Sequence, residues 1–416
     1  MATDSLQITK GAAGSVLILG AGVVGMASAY ALARRGYAVT IVDQESGVGQ
    51  GASFANGAQL SYAYTDALAT PKLLRHLPAL ALGLDPVFRL KPRVDPGYIA
   101  WLLRFVRNCT ASRAVAATLA GLELGLESRL AMHALLAHHP LDFGHAAPGK
   151  LHIFKDPAGF AGACQMASIK VQHGATQHVL TAQEAIALEP ALAAYPDGFI
   201  GALYAPEDEL GDPHLFCNAL QDVLVRNYGV TLRTGVQIRD IRPGMGHVAL
   251  VAEDGQDLVA DHLLVCAGLG AQALLARFGL GSALLPMKGY SMTLPAGPKF
   301  PQISITDVSR KLVFCPLNGT MRIAGLAELG SADGALKPDR LAVLQNSALA
   351  ALPEAADYAA PGHLWAGARP MTANSLPIIQ TVAPGITVNI GHGMLGWTYA
   401  MGAAERAAHC LMASGR

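Results

Sequence analysis

At 416 residues, with 52% hydrophobic and only 14% charged side chains, the chain exceeds the usual size of one domain and has ample material for a large core, which excludes an extended or disordered interaction protein. Thirty Lys and Arg balance thirty Asp and Glu, so no global field draws nucleic acid, and no basic run is interleaved with base-stacking aromatics. The six cysteines contain no C-x-x-C pair and the fourteen histidines no metal-like spacing, so a reducing compartment and a protein without metal are expected.

Residues 14–33 carry no charge until the helix end and are long enough to suggest a membrane span, but their glycines fall where a strand would turn into a helix. Ser15 to Leu19 (SVLIL) reads as a buried parallel strand, G-A-G-V-V-G follows, and an apolar helix runs from Val23 until Gly36 closes it. Tyr37 to Val42 is a second strand that delivers Asp43, 18 positions after Gly25. Each part of this βαβ unit has its own reason: Gly20 allows a tight turn, Gly22 lets backbone N–H groups approach a pyrophosphate, and Gly25 lets helix and strand pack closely. Asp43 is expected to accept from ribose hydroxyls and to repel a 2′-phosphate, which disfavours NADP.

Between residues 64 and 113, eight Lys and Arg face three Asp, and Leu, Phe and Trp are interleaved with them. Such a segment suits either an anionic membrane surface or a solvated face over a core helix. Further on, Asp212 and Pro213 open a helix that Gly229 ends. Residues 261–268 form a buried strand finishing in small residues, which implies a close ligand, and the chain ends with strand, glycine-rich turn and helix from Ile386 onward. The intervening stretches, richer in Pro and strand-like alternation, are expected to form a second domain.

Six segments in order carry a resemblance: VLILGAGVVGMASAYALARRGYAVTIVDQE, SFANGAQLS (53–61), YAPEDELGDPHLF (204–216), LPMKGYSMTLP (285–295), GARPMT (367–372) and NIGHGMLGWTYA (389–400). Together they resemble the FAD-dependent D-amino-acid dehydrogenases of bacteria, within the D-amino-acid oxidase and glycine oxidase superfamily. The resemblance implies an α/β fold, with a Rossmann-like FAD-binding domain (14–75, 205–280 and 366–416) interleaved with an α+β substrate domain (76–204 and 281–365) built on a mostly antiparallel sheet. It implies that Gly20, Gly22, Val24, Gly25, Asp43 and Gln44 hold the adenosine diphosphate half of FAD, that Val236 presents backbone to the adenine, and that Ala267 and Gly268 lie nearby. Ser53, Asn56, Gln59 and Leu60 would run beside the pyrophosphate and flavin ring, and Gly391, His392, Gly393, Leu395, Gly396, Trp397 and Thr398 beside the flavin. Two departures stand out. This chain reads Asn-Gly-Ala-Gln at 56–59 where relatives commonly read Asn-Ala-Gly-Gln, and Ala373-Asn374-Ser375 where they often have Pro-Asp-Gly.

Flavin carries the redox chemistry in such an enzyme, so the protein must position a substrate Cα–H, fix its carboxylate and stabilise charge on the reduced ring. Arg369 is the expected carboxylate anchor, because a planar guanidinium meets a carboxylate through two parallel hydrogen bonds. Tyr290 is expected to bind or orient the same substrate or to line its pocket. The GHGMLGW turn would bring backbone N–H groups of Gly391, Gly393 and Gly396 to the flavin N1 and O2. The implied reaction is oxidative deamination of a D-amino acid to a keto acid and ammonia through an imine, with electrons passed to a quinone of the respiratory chain. A cyclic D-imino acid as substrate, or oxygen as acceptor, stays open. The expected location is the cytoplasm or the cytoplasmic face of the inner membrane.

Overall fold

The strand Ser15–Leu19 is buried along its whole length and lies inside a six-stranded sheet of the computed structural model, which describes residues 5–7, 11–196 and 198–414. The order is Thr231–Arg233, Ala38–Val42, Ser15–Leu19, His262–Val265, Ile386–Ile390 and Ile378–Ala383; the first five are parallel and the last pairs antiparallel. These strands come from well-separated parts of the chain. What unites them is the run of Val, Ile and Leu that a strand covered on both faces needs.

One face of that sheet is covered by the helix Val23–Ala33, in which every residue but Val24 is buried. Its sequence, VVGMASAYALA, is apolar all round, as a wholly enclosed helix must be. The C-terminal helix Gly396–Ser414 packs beside it, and the long helix Ala111–His138 packs beside that one in turn. The other face is covered by Ile238–Pro243, Val248–Ala252, Asp257–Ala260 and Ser5–Gln7, a small sheet whose Ile241, Leu250 and Leu258 share a core with Leu17 and Leu263. The helix Pro213–Tyr228 forms as its sequence signals predict. The Asp212 carboxylate accepts from the His214 and Leu215 N–H groups, and Gly229 ends the helix in the left-handed conformation.

The second sheet has nine strands and is mostly antiparallel, with parallel pairs at Ser304–Asp307 with Lys150–Phe154 and at Thr320–Leu329 with Phe88–Leu90. One face packs on the helix Pro338–Ala351 through Tyr290, Ile323, Leu344 and Ala348. The two units interlock more than a division at loops would allow. Residue 366, expected as a boundary, lies inside the strand His363–Thr372, which pairs along its length with Leu284–Pro295. The helix Ala111–His138, expected in the substrate domain, sends Met132 and Leu135 into the core shared with Val16 and Ile18 of the six-stranded sheet.

The basic segment forms a helix Pro71–Ala81, the short strand Phe88–Leu90 and a helix Pro96–Asn108. Leu80, Phe88, Trp101 and Phe105 are buried, whereas Leu82, Leu84, Val94 and Leu103 are exposed. Among the described residues no helix is long and apolar enough to cross a membrane, the 14–33 stretch being strand, turn and enclosed helix.

Candidate active site

At the C-terminal ends of the parallel strands, where open α/β sheets bind ligands, lies a cavity of about 550 Å³. It takes in Asp43, Gln44 and Val236 from the unit of the six-stranded sheet and Trp365 and Arg369 from the second sheet.

The three motif glycines do three jobs. A Cβ on Gly25 would lie 1.8 Å from the Gly20 carbonyl oxygen, so only glycine lets helix and strand come so close. Gly20 has φ +109°, and a Cβ there would strike the backbone of Cys266 and Ala267. Gly22 faces the cavity, with only the Ser53 hydroxyl at 3.3 Å from where its Cβ would stand. Gly22 has no side chain with which to cap the helix, and the buried Ser53 supplies the cap from another loop, accepting from the Val23 N–H at 3.1 Å.

Asp43 also lines the cavity, its carboxylate accepting from the Ala21 N–H at 2.5 Å and the Glu45 N–H at 2.8 Å. Burial raises its pKa, against the lowering effect of those N–H groups. A carboxylate has lone pairs beyond these two bonds, so ribose hydroxyls can still be bound. Gln44, Val236, Ala267 and Gly268 complete this end.

Asn56 lines the cavity and its Oδ1 accepts from the Ala58 N–H at 2.9 Å. The swapped order at 56–59 has a structural consequence. Ala58 sits fully buried at φ +55°, a left-handed position that favours glycine, while a Cβ on Gly57 would make ordinary contacts at 3.7 Å. At the other departure, Ser375 takes φ +67° in a turn that forms regardless, and its hydroxyl accepts from the Leu68 N–H at 3.0 Å.

Gly391, His392, Gly393, Gly396 and Trp397 line the cavity, so the first turns of both the Val23–Ala33 and Gly396–Ser414 helices border it. His392 is buried, its Nε2 has no hydrogen-bond partner among the described residues, and burial lowers its pKa to about 3, so it is neutral. The Asn389 Oδ1 beside it is likewise buried and unpartnered. Two helix N-termini, the open Gly22 and the Asp43 carboxylate at the wall suit an elongated ligand with a pyrophosphate and a ribose, and FAD is such a ligand.

Several expected residues lie behind the wall. Leu60 is in the core, the Gln59 amide donates to the Ser304 hydroxyl at 2.5 Å, and Thr398 Oγ1 accepts from the Ser61 N–H at 2.9 Å. Leu395 packs against the cluster of Leu124 and Tyr399. Trp397, though at the wall, has its indole N–H on the Gly211 carbonyl at 3.0 Å and its ring against Phe216. Tyr290 lies away from the cavity. Its hydroxyl faces Glu328 at 3.4 Å, the Lys288 ammonium lies over its ring, and its neighbours are on the Pro338–Ala351 side of the sheet.

The cavity side of that strand instead presents Gly289, opposite Gly367 in register. Side chains alternate across a strand, so Trp365, Gly367 and Arg369 share a face. A Cβ on Gly289 would lie 2.4 Å from Arg369 Nη2, and one on Gly367 2.2 Å from the Trp365 ring. Two side-chain-free residues thus make a floor on which the guanidinium and the indole lie, Arg369 over Gly289 and Trp365 over Gly367. Arg369 is enclosed by the cavity walls yet open to the cavity itself, and it makes no ion pair or side-chain hydrogen bond among the described residues. Burial lowers its pKa to about 10, leaving it charged at neutral pH. Trp365, with Ala332 and Gly334 from the loop before the Pro338–Ala351 helix, went unnoticed in the sequence, where no motif marks them.

A family model described as "DAO: FAD dependent oxidoreductase" matches residues 15–410. Among curated proteins, D-amino acid dehydrogenase 2 of Ralstonia nicotianae is 38% identical over 400 residues, covering 94% of each chain. D-amino acid dehydrogenase 2 of Pseudomonas aeruginosa is 39% identical, covering 94% of this chain and 93% of its own. Among solved structures, glycine oxidase from Geobacillus kaustophilus superposes with a TM-score of 0.74 at 22% identity, covering 96% of this chain and 94% of its own. L-proline dehydrogenase from P. horikoshii gives 0.72 at 16% identity, covering 95% and 92%. At such identities the structural likeness establishes the fold alone.

Proposed function

The chain belongs to the DAO family of FAD-dependent oxidoreductases, and on that premise we propose that it is a D-amino-acid dehydrogenase whose carboxylate anchor is Arg369. The observation that carries this reading is the enclosed, unpaired Arg369 guanidinium at the second-sheet end of the cavity, above the floor of Gly289 and Gly367. An unpartnered cation in a cavity is costly unless an anion completes it, and the α-carboxylate is the anion common to all amino acids. The names of the curated relatives support the D-series.

FAD in this cavity would supply a two-electron acceptor. The chain's own residues do the positioning. Arg369 takes the carboxylate through its fork, Trp365 offers an apolar wall to the side chain, and Gly289 and Gly367 leave the room in which that guanidinium and indole lie against the sheet. The backbone N–H groups around Gly391 and Gly393, with the neutral His392, would hold the polar edge of the flavin ring. The Cα–H leaves with its electron pair and the amine loses a proton, giving a 2-imino acid that water converts to a 2-keto acid and ammonia.

A quinone as the electron acceptor, and attachment to the membrane that holds it, belong to the same reading. What supports attachment is the exposed Leu82, Leu84, Val94 and Leu103 among the basic residues of 64–113. Recovery solely in the soluble fraction at low salt would count against it.

The test is anaerobic spectroscopy of the flavin-loaded protein with D-alanine, L-alanine, glycine, sarcosine, D-proline and hydroxy-D-proline added separately. The D-compounds alone are expected to bleach the flavin band, with slow recovery in air; the fastest of them separates an amino-acid from an imino-acid preference. Bleaching by glycine or sarcosine alone, with rapid reoxidation in air, would replace this reading with an oxidase. Arg369→Lys is expected to keep its flavin spectrum but lose roughly 10- to 100-fold in kcat/KM, the worth of a charged hydrogen bond.

A further inference from the structure

A second recess shares no lining residue with the large cavity. It is an open recess of about 360 Å³ between the Pro96–Asn108 helix, the start of the Ala111–His138 helix and the turn that follows the strand of Arg369. Three arginines, Arg104, Arg107 and Arg113, line it with Asn108 and Asn374, and no acidic residue among the described ones does.

Two of the three cations are held in place by backbone. Arg104 donates through Nη2 to the Ser282 carbonyl and hydroxyl and through Nε to the Ala100 carbonyl at 3.2 Å. Arg113 donates through Nη1 to the Arg107 carbonyl at 2.8 Å. None of the three pairs with a carboxylate among the described residues, whereas nearby Arg89 and Arg93 do, with Asp339 and Asp95. Arg104 is half-buried while Arg107 and Arg113 are exposed, so all three charges can be reached from solvent, and an anion bound among them would relieve the repulsion between like charges. Guanidinium forks match phosphate oxygens in pairs, and Asn374, whose Oδ1 accepts from the Leu376 N–H at 3.2 Å, keeps its amide N–H₂ as a further donor. The volume lies at the small end of ligand sites.

We propose that this recess is a second binding site, for a phosphate group carried by a small soluble phosphomonoester or by a lipid headgroup. It stands on binding geometry alone and is independent of the oxidation chemistry. Two measurements on the flavin-loaded protein separate the sources: equilibrium dialysis with radiolabelled glycerol 3-phosphate, and co-sedimentation with phosphatidylcholine vesicles with and without phosphatidylglycerol. The wild type is expected to bind one of these saturably. An R107Q/R113Q double variant, with flavin content and turnover unchanged, is expected to bind at least about tenfold more weakly, two charge-assisted contacts being lost. An R226Q/R242Q variant, which removes equal exposed charge away from both the recess and the 64–113 segment, is expected to bind as the wild type does. Dialysis binding identifies a soluble ligand, and binding confined to phosphatidylglycerol vesicles a lipid. No binding of either, undiminished binding by R107Q/R113Q, or equal loss in R226Q/R242Q overturns the proposal.

Discussion

Arg369 and His392 face the same cavity and meet burial in opposite ways. A guanidinium starts from so high a pKa that lowering it to about 10 leaves it charged, whereas an imidazole lowered to about 3 is neutral throughout the physiological range. The neutral histidine has a consequence for stability. Unfolding releases it to an ordinary value near 6.5, so below that pH the unfolded chain binds a proton that the folded protein refuses. Its contribution is fully present above pH 6.5 and is lost as pH falls towards 3, by at most roughly 1.4 kcal/mol per pH unit. Thermal melts between pH 7 and 4.5 are expected to fall less steeply for His392→Gln than for the wild type; parallel curves would mean that the histidine can be protonated in the fold.

Among the elements, the contact between the C-terminal helix and the Ala111–His138 helix depends on a missing side chain. A Cβ on Gly402 would lie 2.8 Å from the Leu124 carbonyl oxygen and the Ser128 nitrogen, backbone atoms that cannot swing aside. Gly402→Ala is therefore expected to destabilise by roughly 1–3 kcal/mol in chemical denaturation, the cost of overpacking. Gly162, exposed in the helix Pro157–Gln172 with nothing near its Cβ position, gives the opposite expectation: Gly162→Ala gains about 0.5–1 kcal/mol. The elements bordering the cavity were the most legible in the sequence. The first strand, the glycine turn, the helix it opens and Asp43 are contiguous, and their spacing is fixed by local geometry. Tyr290 illustrates the reverse. Alternation along KGYSMT assigns Lys288 and Tyr290 to one face and Gly289 and Ser291 to the other, but which face looks into the cavity depends on what packs behind the sheet.

In the whole molecule, the cavity wall combines residues 20, 22–24, 266–270, 389–394, 396 and 397 of the unit built on the six-stranded sheet with 365–370 of the second sheet. A ligand there touches both units, and anything that binds only the folded state stabilises it, by about 2.7 kcal/mol at a hundredfold excess over Kd. Removal of FAD is expected to lower the calorimetric midpoint by a few degrees while leaving a single transition, because the strand His363–Thr372 and the helix Ala111–His138 tie the units together. Two separated transitions would show that the units unfold independently.

The sequence by itself determined the βαβ unit, the family and the residue types of an anion-holding site, because each rests on contacts between near neighbours or on ordered motifs along the whole chain. Only the tertiary structure decided that Tyr290 faces away, that Ser53 caps a helix thirty positions earlier in the chain, that Gly289 and Gly367 form one floor, and that three arginines from two helices converge on one recess. Those facts depend on strand register and helix packing between segments far apart in the chain, which no local pattern encodes.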